Sequence, residues 1–187
     1  MSARRGRRPF PPGTPAAQEV AEMIRVDHAG EYGALRIYEG QLAVLEARSR
    51  DRKALAAIRR MAEQESRHLE RFDRLVNERK VRPTALSPLW QVAGFALGAG
   101  TALLGTRAAM ACTAAVEEVI DEHYAHQIER LGGDPELRDA VSEFREDERA
   151  HRDEALAYGA EEAPAYRLLS ETIKTGCRLA IRLSEKI

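Results

Sequence analysis

Two short stretches carry the same two residue types at the same spacing: "EQESRHLERF" sets Glu65 three residues before His68, and "FREDERAHRDEAL" sets Glu148 three residues before His151. On a helix, positions i and i+3 share a face, so each pair presents one carboxylate and one imidazole in the same direction. Such donors suit a divalent cation, because the carboxylate brings charge and a hard oxygen while a neutral imidazole completes the shell. A single Glu-x-x-His is a weak signal in a charged helix. Two gain weight only if the chain brings further ligands to the same depth, and the apolar periodicity shows which elements could do so.

Nearly the whole chain reads as helix. An apolar repeat runs from about residue 17 to 48, breaks at "RSRD", and resumes to about residue 80, where "VRPTALSP" interrupts it with two prolines. A long segment from about 89 to 131 ends at "GGDP", a helix follows through about 158, and "GAEEAP" precedes a last helix to residue 186. Strand patterns are absent. The expected fold is all-α, two long helical hairpins making a four-helix bundle, with additional hydrophobic and amphipathic helical segments.

Each of the four seams is apolar except near its middle. Ile24, His28, Leu35, Tyr38, Leu42 and Leu45 flank Glu31, while Leu55, Ile58, Ala62, Leu69, Phe72 and Val76 flank Glu65. Met110, Thr113, Ile120, Tyr124 and Leu131 flank Glu117, and Leu137, Val141, Phe144 and Ala155 flank Glu148 and His151. An isolated ionised carboxylate on a core-facing seam is expensive to desolvate, so four of them need a common cause. Their depth matches. The midpoint of Glu31 and Glu65 falls at residue 48, beside the first break, and that of Glu117 and Glu148 falls between Gly132 and Gly133.

Each hairpin thus supplies one Glu from its first helix and a Glu-x-x-His from its second. This is the ligand pattern of ferritin-like di-iron and di-manganese carboxylate bundles. The candidate metal ligands, and with them the catalytic residues, are Glu31, Glu65, His68, Glu117, Glu148 and His151. Two divalent ions would neutralise the four carboxylates, and a donor set without thiolate suits iron or manganese better than copper or structural zinc. Glu118 points about 100° away from Glu117 by helix geometry, which selects Glu117. Tyr124 shares the ligand face, where core packing and a redox or ligand-supporting role are both open. For His123 the alternatives are a surface or inter-helix hydrogen bond and a functional role.

Two features lie outside the ligand pattern. Between Arg82 and Arg107 no residue is charged, and "LWQVAGFALGAGTALLG" approaches the length of a membrane span. Its glycines and prolines favour an interfacial helix or a tunnel wall over a crossing, with a plain buried helix as the alternative. The terminal "YRLLSETIKTGCRLAIRLSEKI" is amphipathic with a basic polar side. Gly30, Gly33 and Gly40 each cost roughly 1 kcal/mol against Ala inside a helix. With Ile37 they form a stripe that fits either a close helix contact or a groove for a flat substrate. Gly30, Gly33, Ile37, Trp90 and Phe95 are the candidate groove residues.

The stretches "VDHAGEYGALRIYEGQ", "GFALGAGTALLG" leading into "AMACTAAVEEVIDEHY", and "APAYRLLSETIKTGCRLAIRLSEKI" closely resemble the demethoxyubiquinone hydroxylases of ubiquinone biosynthesis, over residues 19 to 187. The resemblance implies a monooxygenase that uses two iron ions, dioxygen and two electrons to hydroxylate the ring of a prenylated benzoquinone or quinol. It carries the family's ligands onto the same six residues. It also implies NADH as electron donor, association with a lipid-presenting accessory protein, and a peripheral place on a membrane. That membrane would be the inner one, on its cytoplasmic face in a bacterium or on the matrix face in a mitochondrion. A homo-oligomer stays open.

Composition agrees with one domain at 19–187 behind a flexible basic arm at 1–18, which carries four arginines and no acid. A net charge of -1 argues against nucleic acid as a partner, and the two widely spaced cysteines, Cys112 and Cys177, form no thiol metal motif. A ferritin-like iron-oxidising or storage protein would use the same six ligands without needing the apolar segment. A non-catalytic membrane-associated protein would need that segment but leave the four glutamates unexplained.

Overall fold

The computed structural model describes residues 17–187, and every regular element among them is helical. The expected basic arm lies outside the described residues except for Ala17 and Gln18, which already open the first helix. In chain order the helices are α1 (Ala17–Arg48), α2 (Arg52–Glu78), α3 (Ser87–Leu103), α4 (Thr106–Arg130), α5 (Pro135–Ala157) and α6 (Tyr166–Lys186). Helices α1, α2, α4 and α5 form a ferritin-like bundle, α3 packs along α1, and α6 lies on α4 and α1.

Local chemistry sets the hairpin turns. Asp51 caps α2, its Oδ1 accepting from the amides of Lys53 at 3.1 Å and Ala54 at 3.0 Å. Asp134 caps α5, accepting from the Leu137 amide at 3.2 Å, with Pro135 opening the helix. The guanidinium of Arg79, at the end of α2, grips Asp134 and holds its carboxyl below the usual carboxylate range. This pins the end of one hairpin to the turn of the other.

The long segment read over 89–131 is two helices, α3 and α4. Gly105 takes φ +112° after Leu104, a conformation that residues with a side chain rarely adopt, and the chain reverses there. The reversal lays α3 onto α1 at backbone contact. A Cβ on Gly98 would sit 1.9 Å from the Ile37 carbonyl oxygen, and one on Gly40 would sit 2.3 Å from that of Phe95. Only small residues of α3 are buried, namely Gly94, Gly98, Thr101 and Ala102. Its outer face shows Leu89 and Val92, 53% and 67% exposed. No helix among the described residues is long and apolar enough to cross a membrane.

Two apolar cores bracket the centre of the bundle. One gathers Tyr38, Leu55, Ile58, Met61 and Met110; the other gathers Ile24, Phe72, Leu75, Leu137, Val141 and Phe144. Along α2 and α5 the Glu-x-x-His pairs fall between them, so whatever these side chains hold is shielded from water on both sides.

Candidate metal centre

All six predicted ligands are buried, and their donor atoms fall into two overlapping groups. Glu31, Glu65, His68 and Glu148 form one; Glu65, Glu117, Glu148 and His151 form the other, with the donor atoms of each within 4.8 Å of one another. Glu65 and Glu148 belong to both. His68 Nδ1 lies 3.2 Å from Glu148 Oε1, while His151 Nδ1 lies 3.3 Å from Glu148 Oε2, so this carboxylate turns one oxygen to each group. His68 Nδ1 is also 3.4 Å from Glu31 Oε2, and His151 Nδ1 is 3.2 Å from Glu65 Oε1.

A further ring of side chains orients these donors. Tyr38 donates its hydroxyl to Glu117 Oε1 at 2.5 Å, and Tyr124 donates to Glu31 Oε1. Outside, His68 Nε2 meets Asp147 Oδ2 at 3.0 Å and His151 Nε2 meets Gln64 Oε1 at 3.1 Å, each partner being the residue before the glutamate of the facing motif. The two hairpins repeat each other: Tyr38 follows Glu31 at the spacing by which Tyr124 follows Glu117, and Gln41 and Gln127 recur likewise. Gln41 donates to Thr113 Oγ1 at 3.3 Å and Gln127 to Asp27 Oδ1 at 2.8 Å.

Inside this shell four buried carboxyls crowd against two imidazoles. Burial, then the charge of Glu148, pushes the Glu65 and Glu117 carboxyls well above the ordinary range, and burial raises Glu31 against the pull of His68. Burial would also raise Glu148, but His151 and His68 hold it down at about 2. Burial would lower His68, yet Glu148 and Glu31 lift it to about 12. Burial and the nearby carboxylates keep Tyr38 and Tyr124 as phenols, able to donate.

The donor set fits a pair of metal ions. The atoms left without a hydrogen-bond partner include both oxygens of Glu65 and of Glu148, Oε2 of Glu31 and of Glu117, and Nδ1 of both histidines. Those are the atoms that two bridging carboxylates, two terminal carboxylates and two imidazoles would offer. Metal would turn a repulsive cluster into a neutral one.

Behind the cluster, α1, α3, α4 and α6 enclose an apolar groove of about 410 Å³. Gly30, Gly33, Ile37 and Trp90 line it, and Gly30 and Gly33 have open space where a Cβ would be. Both readings of the glycine stripe hold: Gly40 serves the α1–α3 contact, Gly30 the groove, and Gly33 both, its carbonyl oxygen lying 2.8 Å from where a Cβ on Gly94 would be. Phe95 is not a groove residue. Its ring stacks under the Arg36 guanidinium at 5.0 Å and its carbonyl presses on Gly40, because it leaves α3 on the side that meets α1. Trp90 Nε1 donates to Ser184 Oγ at 3.0 Å and ties α3 to α6 at the groove wall.

Glu118 turns to α6 and pairs with Lys174 at 2.7 Å. His28, placed on the first seam by its phase, is half-buried and bonds Asp73 at the surface. His123 bonds the buried Asp27 at 2.9 Å. Sequence reasoning missed Tyr38, Asp147 and Gln64 as partners of the ligands. The equal spacings from glutamate to tyrosine were the legible signal for the first.

The profile of the ubiquinone biosynthesis protein COQ7 family matches residues 18–184. The chain belongs to this family. A relative from Rhodospirillum rubrum, named 3-demethoxyubiquinol 3-hydroxylase, is 54% identical over 178 residues, covering 94% of this chain and 82% of its own. The Homo sapiens relative, named NADPH-dependent 3-demethoxyubiquinone 3-hydroxylase, mitochondrial, is 53% identical, covering 90% of this chain and 78% of its own. A Saccharomyces cerevisiae relative, named 5-demethoxyubiquinone hydroxylase, mitochondrial, is 40% identical, with 88% and 77% covered.

Proposed function

We propose that this chain is a 3-demethoxyubiquinol 3-hydroxylase of ubiquinone biosynthesis, and that Glu31, Glu65, His68, Glu117, Glu148 and His151 hold two iron ions. One observation carries the reading: a buried carboxylate–imidazole cluster, its inward donor atoms without hydrogen-bond partners, stands behind an apolar groove whose lining residues Gly30, Ala34, Val116 and Ile120 flank Glu31 and Glu117 in sequence. Bound there, a pair of iron ions supplies the activation of dioxygen that a monooxygenase requires. One oxygen atom enters the ring C–H bond and the other leaves as water, which consumes two electrons and two protons.

The chain's own residues do the rest. Glu65 and Glu148, which belong to both donor groups, would be shared by the two ions, while Tyr38 and Tyr124 fix one oxygen each of Glu117 and Glu31 and so leave the other oxygen facing inward. The groove accepts a flat ring and the start of a prenyl tail. Its walls are almost wholly aliphatic, which keeps bulk water from the reacting centre. Tyr124 supports Glu31 and His123 bonds Asp27; both residues are able to carry protons or electrons toward the centre.

For the electron source, the resemblance implied NADH, whereas the mammalian relatives are named NADPH-dependent. The proposed donor is a reduced nicotinamide nucleotide of either kind. The exposed Leu89, Val92, Leu179 and Leu183 on α3 and α6 support docking on an inner membrane. That is the cytoplasmic face in a bacterium or the matrix face in a mitochondrion, and several eukaryotic relatives are named mitochondrial. The same surface could receive a lipid-presenting accessory protein or a second copy of the chain.

The test is mass spectrometry of the quinone after iron-loaded protein meets demethoxyubiquinone, a reductant and isotopically labelled dioxygen, with Glu117→Ala beside it. The expected product is heavier by one labelled oxygen atom and absent with the variant. Dioxygen consumption and two bound irons without that product would overturn the hydroxylase reading in favour of iron oxidation.

A further inference from the structure

The repeat that relates the two hairpins is broken at specific points, and the breaks fall on one side. His68 and His151 both direct Nδ1 into the cluster and Nε2 outward. Both outer partners accept a hydrogen bond from Nε2–H, so each ring keeps that proton outside and would offer Nδ1 to a metal ion as the ion displaces the Nδ1 proton. The acceptors differ. Behind His68 stands the carboxylate of Asp147, behind His151 the neutral amide of Gln64. The terminal carboxylates are flanked unequally too: Gln127 reaches the buried carboxyl of Asp27 on the Glu31 side, where Gln41 reaches only uncharged groups, the Ala109 carbonyl and the Thr113 hydroxyl, on the Glu117 side.

We propose that the two metal positions are inequivalent by construction, Asp147 acting as a positioning residue that makes the Glu31–His68 position fill first and hold its ion more tightly than the Glu117–His151 position. This rests on the reading of the cluster as a two-metal centre. A carboxylate behind an imidazole raises the basicity of the ligating nitrogen and locks the ring, and loss of such a partner typically lowers metal affinity by about 10- to 100-fold. A neutral amide locks the ring but adds no charge. Asp147 is 36% exposed, so solvent screens its long-range field; its direct hydrogen bond to a ring only 2% exposed is what survives screening. Asp27 adds little, since His123 pairs with it.

The experiment is an anaerobic titration of the full metal-free chain with Co(II), followed by calorimetry and by visible absorption, and located by anomalous scattering from crystals given one equivalent. Wild type should bind in two steps, the first ion beside His68. Asp147→Asn should weaken the first step by about 10- to 100-fold while sparing the second, and bring the two together. Asp147→Glu should restore much of the separation. Gln64→Glu, which adds the missing charge on the other side, should strengthen the second step, and it tests the same idea if the Asp147 variant folds poorly. Two ions bound with equal affinity in wild type, a first ion beside His151, or an Asp147→Asn titration unchanged from wild type would each overturn the inference while leaving the two-metal reading intact. A wild-type chain that binds no Co(II) at all would instead overturn the two-metal reading.

Discussion

A buried ligand carboxylate is a liability until metal arrives, and Glu117 allows the cost to be measured. Its carboxyl is 1% exposed, its Oε2 has no partner, and burial together with Glu148 raises its pKa well above the ordinary carboxylate range in the metal-free chain. An unsatisfied buried acceptor costs about 1–3 kcal/mol. A leucine of similar volume removes that cost and buries apolar surface worth about 1.5–3 kcal/mol. Leucine alone would strand the Tyr38 hydroxyl, which donates to Glu117, so the perturbation is Glu117→Leu with Tyr38→Phe. Part of the gain is lost because His151 no longer has the Glu117 carboxyl facing it, leaving a net stabilisation of about 2 kcal/mol. For a chain of this size that raises the metal-free melting temperature by about 4–8 °C. Calorimetry in the presence of a chelator measures it. Added Fe(II) or Co(II) should then stabilise wild type strongly and the double variant weakly, reversing their order. A metal-free variant melting at or below wild type would refute the argument that the site is held ready at the expense of stability.

Three further outcomes are expected. Without metal, the raised pKa values of Glu31, Glu65 and Glu117 mean that the folded chain holds protons the unfolded chain releases above about pH 4.5, and His68, lifted to about 12, contributes stability that is full below 6.5 and lost on the way up. Glu148, held at about 2, contributes stability present above 4.5 and lost toward its own pKa, so chelated protein should melt higher near about pH 5.5 than near about pH 8.5. A flat or opposite trend between those values would count against it, and metal uptake should release protons measurable in a weakly buffered titration. Gly98→Ala places a methyl 1.9 Å from the Ile37 carbonyl oxygen. The overpacking costs about 1–3 kcal/mol, offset by roughly 1 kcal/mol of helix propensity, so the melting temperature should fall and unchanged melting would deny that α3 is clamped on α1. Leu89→Ser with Val92→Ser should weaken flotation with liposomes while metal content stays the same, because both side chains point outward; equal flotation would remove α3 from the membrane surface.

Trp90 and Phe95 show where the reading from sequence stopped. Both lie in the apolar segment and looked interchangeable, yet Trp90 lines the groove and bonds Ser184 while Phe95 packs on Arg36 and Gly40. Their fates depend on the rotation of α3 against α1, which follows from the close approach at Gly40, Gly94 and Gly98 and from the reversal at Gly105. A glycine in a run of Gly and Ala carries no mark that distinguishes a turn from a helix contact.

The six clustered side chains belong to the other category. Helical phase and the distance of each glutamate from its own hairpin turn are local quantities, fixed by 3.6 residues per turn and short connections, so the sequence by itself determined which carboxylates and imidazoles share a depth. What backs them was decided by tertiary structure alone. Tyr38 reaches Glu117 from α1 to α4, Tyr124 reaches Glu31 the other way, and Asp147 and Gln64 reach histidines across the α2–α5 contact. Those helices are not neighbours within a hairpin, and their relative rotation and offset come from how the two hairpins pack on each other, a property that no stretch of chain carries by itself.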